Sequence, residues 1–305
     1  MDLRQLRTFL AVAELGSLRQ AALRLRIAET ALSRQMRLLE ADLGQPLFRR
    51  HGRGLALTEA GHALRERAAP LLQQLDALRE GMRGRQGEVS GAVSIGLPWL
   101  FLERLSAGLA RRFIPAHPAV SIRFIGGFAD HLQDAMLSGA ADLALIFDPP
   151  PARAIRLTPL LREEMRLVAH AAAGYRAEAP QPFRRLGEVP LVLPGPRNPF
   201  RQRLEELALR HGVTLDVRFE VETLAPQKAL VVGGVAQMLA SSMAVSAEVE
   251  AGLLCETRLA DEPIIRTLYL AEPRAGARSL AAARMADAVR EEAVGWSGGG
   301  DFGPG

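Results

Sequence analysis

The sequence predicts an α+β multi-domain protein with an N-terminal winged helix-turn-helix, a long coiled-coil linker helix and a C-terminal α/β domain. Three observations predict this fold class. Short amphipathic helices fill about 3–43, and an apolar repeat in alternating steps of four and three covers 57–82. Beyond Gly91, apolar runs typical of strands alternate with helical stretches, which indicates parallel sheets covered on both faces.

The composition limits the kinds of protein that this chain can be. A chain of 305 residues, 48% of them hydrophobic, can form two or three globular domains. It contains neither a long uncharged apolar run nor a recognisable signal peptide, so we expect a cytoplasmic protein with no membrane partner. The single cysteine, Cys255, excludes an internal disulfide, and its apolar setting favours a small buried hydrophobe over a nucleophile.

Motifs for catalysis are missing from the sequence. The six histidines lack metal-ligand spacing, and we find no nucleophile elbow, dinucleotide fingerprint or phosphate-binding loop. We therefore expect no catalytic residues, no metal and no cofactor, and we predict that the protein is not an enzyme.

Positive charge is concentrated in the first part of the chain. Residues 1–88 hold 15 Arg and 10 Asp or Glu, a net charge of +5, whereas the whole chain carries +4. A basic domain joined to a larger, nearly neutral one is typical of a nucleic-acid reader attached to a second function. Charge alone fits a solvated basic surface equally well.

The first 44 residues predict three helices. The first covers about 3–15 and ends at Gly16, and Ser17 is a good N-cap for a second helix over about 18–25. Residues 26–28 then form a tight turn into the third helix. Because only about three residues separate the second and third helices, the pattern predicts a helix-turn-helix.

The polar side of the third helix has an unusual composition. Thr30, Ser33, Arg34 and Arg37 lie opposite its apolar face, where a solvated helix would more often mix Glu with Lys. An α-helix fits the major groove, where Arg makes paired hydrogen bonds to guanine. We expect Arg34 and Arg37 to read bases, and Ser33 and Thr30 to contact bases or backbone. Singly, each arginine is more often a solvated side chain.

The stretch "RRHGRG", residues 49–54, lies between two short apolar runs, and its two glycines allow a tight turn. It predicts a β-hairpin wing that presents Arg49, Arg50 and Arg53. We expect Arg53 to enter the minor groove beside the third helix. A merely soluble loop is the alternative, which the position directly after that helix disfavours.

The apolar repeat over 57–82 has the spacing of a two-stranded coiled coil, so it predicts pairing of two chains. Pro70 removes one backbone donor and can kink the helix. The alternative, a helix packed on its own chain, needs a wider apolar stripe than the flanking charged residues leave. The expected dimerisation residues are Leu64, Ala68, Leu71, Leu75, Leu78 and Met82.

Residues 3–61 resemble the N-terminal domain of the LysR-type transcriptional regulators almost position for position, without a gap. Segments such as "VSIGLP", "SGAADLALIFDPP", "LREEMRLVAH" and "ALVVGG" are more loosely similar to that family's effector domain. The resemblance implies two Rossmann-like lobes of the periplasmic-binding-protein (type II) kind. It also implies homodimers that pair into homotetramers and bend promoter DNA, with a small-molecule effector and RNA polymerase as further partners.

The resemblance sets the expected domain boundaries. The chain should cross between the lobes near Glu163–Arg166 and Ile265–Leu268. The expected domains are a winged helix-turn-helix over 1–58, a linker helix and hinge over 59–88, an effector domain over 89–294 and a disordered tail over 295–305. Within the effector domain we expect lobe I over about 89–163 and 268–294, and lobe II over about 164–267.

Two further positions and one departure complete the predicted DNA contacts. Ser17 and Arg19 should anchor phosphates at the start of the second helix. Glu29 and Thr30 stand where the family usually has Gln-Pro or Gln-Ser. Phosphates repel a carboxylate unless it accepts from a cytosine amino group, so Glu29 either shifts the base preference or faces away.

Departures in the C-terminal domain concern the expected ligand cleft. Trp99 and Leu100 follow "GLP" where the family commonly has a small hydroxyl residue, and Phe128 and Ala129 end a segment that usually reads Glu-Gly-x-Ser. Fewer hydroxyls and more apolar bulk predict an aromatic or largely apolar effector, or a partly closed cleft. Alternatively, Trp99 fills the core of its lobe. The polar groups expected near a ligand are Asn198 and Thr223.

The predicted function is a sequence-specific, LysR-type DNA-binding transcriptional regulator that responds to a small molecule. The alternatives are a DNA-binding protein without sequence preference or ligand response, a solute-binding protein, and an α/β enzyme. The basic N-terminal domain and the absence of catalytic motifs from the sequence disfavour the solute-binding protein and the enzyme.

Overall fold

The computed structural model describes residues 1–51, 54–83, 89–196, 198–274 and 278–298. The helices are α1 Leu3–Leu15, α2 Leu18–Leu25, α3 Glu29–Leu43, α4 Glu59–Arg83, α5 Trp99–Ala116, α6 Ala129–Leu137, α7 Pro199–Arg210, α8 Leu224–Val232, α9 Ser242–Glu250 and α10 Leu280–Val294. The strands are β1 Phe48–His51, β2 Gly54–Leu57, β3 Ser90–Pro98, β4 Ala119–Gly127, β5 Leu143–Phe147, β6 Ile155–His170, β7 Leu191–Leu193, β8 Val217–Glu220, β9 Met238–Ser241, β10 Leu254–Thr257 and β11 Ile264–Pro273.

The chain divides into two compact units. Unit 1 comprises the described residues of Met1–Leu97, Leu105–Thr158 and Leu270–Glu292; unit 2 comprises Pro98–Arg104, Pro159–Tyr269 and the described residues from Ala293 onward. Strands β6 and β11 each run through a change of unit, after Thr158 and after Tyr269. The crossings predicted near Glu163–Arg166 and Ile265–Leu268 lie in the same two strands, within a few residues of these changes of unit.

Local signals explain the first three helices. The Asp2 carboxylate accepts a hydrogen bond from the Gln5 backbone N–H at 2.7 Å and so caps α1. Gly16 ends α1 with a φ of 61°, a left-handed conformation that glycine adopts without strain. Ser17 caps α2 by accepting from the Gln20 N–H at 3.4 Å. These helices enclose a core that includes Phe9, Val12, Ala21, Leu32, Leu39 and Leu47.

The predicted wing is confirmed as an antiparallel hairpin of β1 and β2, in which Phe48 pairs with Leu57. Glu40 of α3 accepts from the backbone N–H of Leu47 at 2.8 Å and of Phe48 at 3.3 Å, which fixes the hairpin against α3. The third helix and the start of the wing are therefore joined by hydrogen bonds.

Helix α4 packs against α1 of its own chain. Ala68 is 1% exposed and Leu72 5% exposed, and both are buried with Leu6 in one apolar cluster, against which Leu64 is partly buried. This corrects the predicted seam at Ala68, because that side chain is already covered within the chain. Leu71 is 56% exposed.

Three predicted seam residues remain: Leu75, Leu78 and Met82. Leu75 is half-buried. The structure describes the backbone of Leu78 and Met82 but not their side chains, so these two positions stay predictions.

Unit 1 contains the first part of the C-terminal α/β domain. Its strands lie in the order β11-β5-β3-β4, and β3 runs parallel to β5 with Ile95 opposite Leu143. The Asp142 carboxylate, at the start of β5, accepts from the Ser94 N–H at 2.7 Å. Burial raises the pKa of this carboxyl above its ordinary value, although the Ser94 hydrogen bond opposes that shift.

Unit 2 is built around β6, which pairs antiparallel with β9 and with β10. A separate parallel pair, β7 with β8, is covered by α7 through Leu204 and Leu207. Cys255 on β10 is half-buried, and its Sγ donates to the His170 carbonyl at 3.3 Å.

The start of the predicted disordered tail differs from expectation. Residues Gly295–Gly298 form a 3-10 turn, and the Trp296 ring packs 5.2 Å from the Phe101 ring, centroid to centroid. Residues 299–305 lie outside the described part.

Candidate functional site

Burial of one side of α3 presents its opposite side to solvent. Leu32, Met36 and Leu39 are buried in the core, whereas Arg34 and Arg37 are exposed. Neither guanidinium has a hydrogen bond or ion pair within the described part of the chain. Both are therefore available to a ligand outside the protein.

The start of α3 adds polar groups to the same surface. Thr30 is exposed and Ser33 half-buried, and Glu29 is the first residue of the helix. Ala28 occupies the N-cap position and makes no side-chain hydrogen bond to the helix end. The first N–H groups of α3 thus have no cap from Ala28. We call Thr30, Ser33, Arg34 and Arg37 the reading face.

Two positioning residues were missed from the sequence. The Thr8 hydroxyl on α1 lies 2.9 Å from the Gln35 Oε1 on α3, and Thr8 is buried. This contact links α1 to α3, the helix that carries the reading face. The sequence signal that could have identified this contact is the threonine at a buried position of α1.

The start of α2 carries the predicted phosphate anchors. Arg19 is exposed and has no ion pair among the described residues. The Ser17 hydroxyl caps α2, so its oxygen already accepts a hydrogen bond from the Gln20 N–H. Positive partial charge at a helix N-terminus, together with a free guanidinium, suits a phosphate.

The wing contributes further positive charge. Arg49 and Arg50 on β1 are exposed. Gly54 on β2 approaches α1 so closely that a Cβ there would lie 2.6 Å from the Gly16 carbonyl oxygen. Arg53, predicted to enter the minor groove, lies outside the described residues.

Four of the predicted effector-binding residues belong to unit 2. Trp99 is 40% exposed at the start of α5, so it does not fill the core of a lobe, whereas Leu100 packs against the apolar cluster around Val168 and Met238. The Asn198 Oδ1 caps α7 by accepting from the Phe200 N–H at 2.9 Å.

Thr223, the fourth of these residues, precedes α8. It is exposed and makes no side-chain cap. Its hydroxyl is therefore not committed to the helix end.

The other two predicted effector-binding residues belong to unit 1, at the start of α6. Phe128 is the half-buried N-cap residue and makes no side-chain hydrogen bond to the helix end. Ala129 packs against the core cluster that contains Leu132 and Ala144. Neither side chain has a hydroxyl group that could bind a polar ligand.

Across the described ranges, no three His, Cys, Asp or Glu side chains lie close enough together to hold a metal ion. Within those ranges, none of the helices has the length and apolarity needed to traverse a bilayer.

A helix-turn-helix with an open reading face, joined to an α/β effector domain, defines a DNA-binding transcriptional regulator. The model for the bacterial regulatory helix-turn-helix protein, lysR family, matches residues 3–62, and that for the LysR substrate binding domain matches residues 86–294. The HTH-type transcriptional regulator BbuR of Bordetella bronchiseptica is 30% identical over 296 residues, which cover 96% of this chain and 90% of the relative. The chain therefore belongs to the LysR family of bacterial regulators and is not an enzyme.

Solved structures agree with this fold. A full-length OxyR variant from Pseudomonas aeruginosa matches with a TM-score of 0.74 at 21% identity, over 96% of this chain and 94% of that one. Full-length CbnR complexed with its target DNA matches with a TM-score of 0.57 at 24% identity, over 95% of this chain and 99% of that one. The N-terminal helix-turn-helix and C-terminal α/β domain predicted from the sequence are confirmed.

Proposed function

We propose that this protein regulates transcription in the cytoplasm by inserting α3 into the major groove of a specific promoter sequence. The observation that carries the proposal is the reading face. Two guanidiniums without partners in the described residues and two hydroxyls share one exposed side of a helix whose other side is buried. CbnR, a solved structure of similar fold, is described in complex with its target DNA. Arg34 and Arg37 read bases, and Arg19 holds phosphate.

Paired arginine substitutions test this assignment. Arg34→Ala should weaken binding to the cognate operator by about 1–3 kcal/mol while leaving non-specific DNA nearly unaffected, because a base contact is lost. Arg19→Ala should weaken binding to all sequences alike and reduce the salt dependence, because a phosphate contact is lost. Fluorescence anisotropy at several salt concentrations measures both. Equal losses on operator and random DNA for Arg34→Ala would contradict the base-reading role.

We propose further that the C-terminal domain binds an aromatic or largely apolar effector. Trp99 presents a partly exposed indole, and Phe128 and Ala129 contribute no hydroxyl. Asn198 and Thr223 remain the polar groups for orientation, although the Asn198 oxygen already caps α7. Ligand sites are mostly apolar with a few placed polar groups, so aromatic bulk near the ligand selects against small, highly charged molecules.

Calorimetric titration with two probe sets tests the effector class. Monocyclic aromatic compounds should bind more tightly than small dicarboxylates, and Trp99→Ala should weaken binding of the aromatic set by roughly 5- to 30-fold, the equivalent of about 1–2 kcal/mol. The matched control is Trp296→Phe, because Trp296 packs on Phe101 and is not among the predicted ligand contacts. Tight binding of dicarboxylates alone would overturn this proposal and leave the DNA-binding proposal intact.

Two copies of the chain would present two reading faces. We propose that α4 forms a homodimer through the exposed Leu71 and the neighbouring apolar positions, and that dimers pair into a tetramer that bends DNA and contacts RNA polymerase. A two-fold dimer reads two half-sites about 34 Å apart or a multiple of that distance. The operator is then an imperfect palindrome.

A further inference from the structure

We infer that Glu29 determines specificity by accepting a hydrogen bond from the exocyclic amino group of a cytosine in the major groove. The inference rests on the proposed function and deepens it, because it assigns a base to one position of the same surface. Two features distinguish Glu29 from the other acidic residues of this domain. It is the first residue of α3, and its carboxylate has no hydrogen-bond or ion-pair partner among the described residues.

Glu29 is the only acidic residue before α4 whose side chain makes no hydrogen bond or ion pair within the described part of the chain. Each of the other four makes at least one such contact. Asp2 caps α1, Glu14 pairs with Arg24 at 2.7 Å, and Asp42 pairs with the N-terminal ammonium at 2.6 Å. Glu40 accepts two backbone N–H groups of the wing.

The Glu29 side chain, by contrast, is exposed and has neither a hydrogen bond nor an ion pair among the described residues. It is nevertheless surrounded by a basic domain. No side chain in the described ranges orients this carboxylate.

The position of Glu29 directs it toward DNA bases. It is the first residue of α3 and precedes Ser33 of the reading face by one helical turn. Helix-turn-helix proteins contact base edges with the N-terminal residues of the recognition helix. A carboxylate that pointed at the phosphates would be repelled, so a Glu29 side chain that contacts the DNA contacts a base edge.

Hydrogen-bond chemistry selects the base. An ionised carboxylate only accepts hydrogen bonds. In the major groove guanine offers the N7 and O6 acceptors and thymine the O4 acceptor, whereas adenine offers its N6 donor next to the N7 acceptor. Cytosine offers the N4 amino donor without an acceptor of its own in the groove. Cytosine is therefore the best partner for Glu29.

A selection from random double-stranded DNA tests the inference with the full-length protein and two variants. Glu29→Gln keeps the size of the side chain but adds an amide donor, which suits the N7 and N6 groups of adenine. Asp42→Asn removes the same charge from the far end of the same helix and is the matched control. We expect the wild type and Asp42→Asn to enrich cytosine at one position of each half-site, and Glu29→Gln to enrich adenine there.

The affinities should follow the selected sequences. Replacing that cytosine should weaken wild-type binding by roughly 5- to 150-fold, the range for one good base contact, and should weaken Glu29→Gln binding much less. If Glu29→Gln selects the same base as the wild type, or tightens binding to every sequence equally, the inference is overturned. Glu29 then acts on the helix end or on general charge. A wild-type protein that enriches no sequence at all would instead overturn the proposed function.

Discussion

At the scale of single residues, Gly61 decides how closely the linker helix approaches the wing. A Cβ at Gly61 would lie 2.2 Å from the Leu47 carbonyl oxygen and 2.8 Å from the Leu57 Cδ2. The first of these atoms belongs to the backbone and cannot rotate away. In the sequence, Gly61 looked like one position of the apolar repeat. In the structure, the absence of a Cβ at Gly61 lets the start of α4 approach the backbone of Leu47, the residue before β1.

We predict that Gly61→Ala lowers the free energy of unfolding by about 1–3 kcal/mol, because the added methyl group forces the wing and α4 apart. Gly108→Ala is the control. It lies within α5, where the nearest atom to an added Cβ is 3.8 Å away. That substitution should be neutral or stabilising by about 0.5–1 kcal/mol, as expected for alanine in a helix. Urea denaturation measures both, and similar midpoints for the two variants would refute the close-approach argument.

At the scale of elements, sequence reasoning worked best where a local signal ends a helix. The bounds of α1 and α2 agree with the prediction, since the left-handed Gly16 and the Ser17 cap separate the two helices. The wing was predictable for the same reason, because the sequence has a short glycine-containing stretch between two short apolar runs. These signals act over a few residues and need no knowledge of the tertiary fold.

Packing partners, in contrast, could not be predicted from periodicity. Helix α4 has one apolar stripe that meets α1 in the same chain, with Ala68 and Leu72 buried, and an adjacent exposed position at Leu71. Both an intrachain contact and a coiled-coil seam repeat every three to four residues. Spacing alone therefore assigned Ala68 to the wrong neighbour.

Strand β6 shows a second limit of pattern reasoning. Its sequence "LREEMR" has more charge than a buried strand usually shows. Ion pairs make this possible: Glu163 is 1% exposed and pairs with Arg266, and Arg166 pairs with Glu256 at 3.1 Å. A buried charge needs a partner, and partners on β10 and β11 are about 90 to 100 residues away in sequence. The family resemblance, rather than the apolar pattern, indicated this segment.

At the scale of the whole molecule, substitutions at the adjacent residues Leu71 and Leu72 of α4 separate an effect on dimerisation from an effect on stability. Leu71→Asp places a charge in the proposed dimer contact, whereas Leu72→Ala removes side-chain atoms from the cluster with Leu6. We predict that Leu71→Asp folds normally but shifts the protein toward monomers, because burying an unpaired carboxylate at the contact is unfavourable.

The same variant should lose affinity for DNA containing two half-sites while keeping its affinity for one half-site, because the gain from linking two reading faces is lost. Leu72→Ala should remain a dimer and lose about 2–5 kcal/mol of stability, the usual cost of a buried leucine truncation. Sedimentation velocity, circular dichroism melts and anisotropy on one-site and two-site DNA separate these effects. If Leu71→Asp sediments as the wild type does and binds the two-site DNA equally well, the partner contact lies elsewhere than on this side of α4.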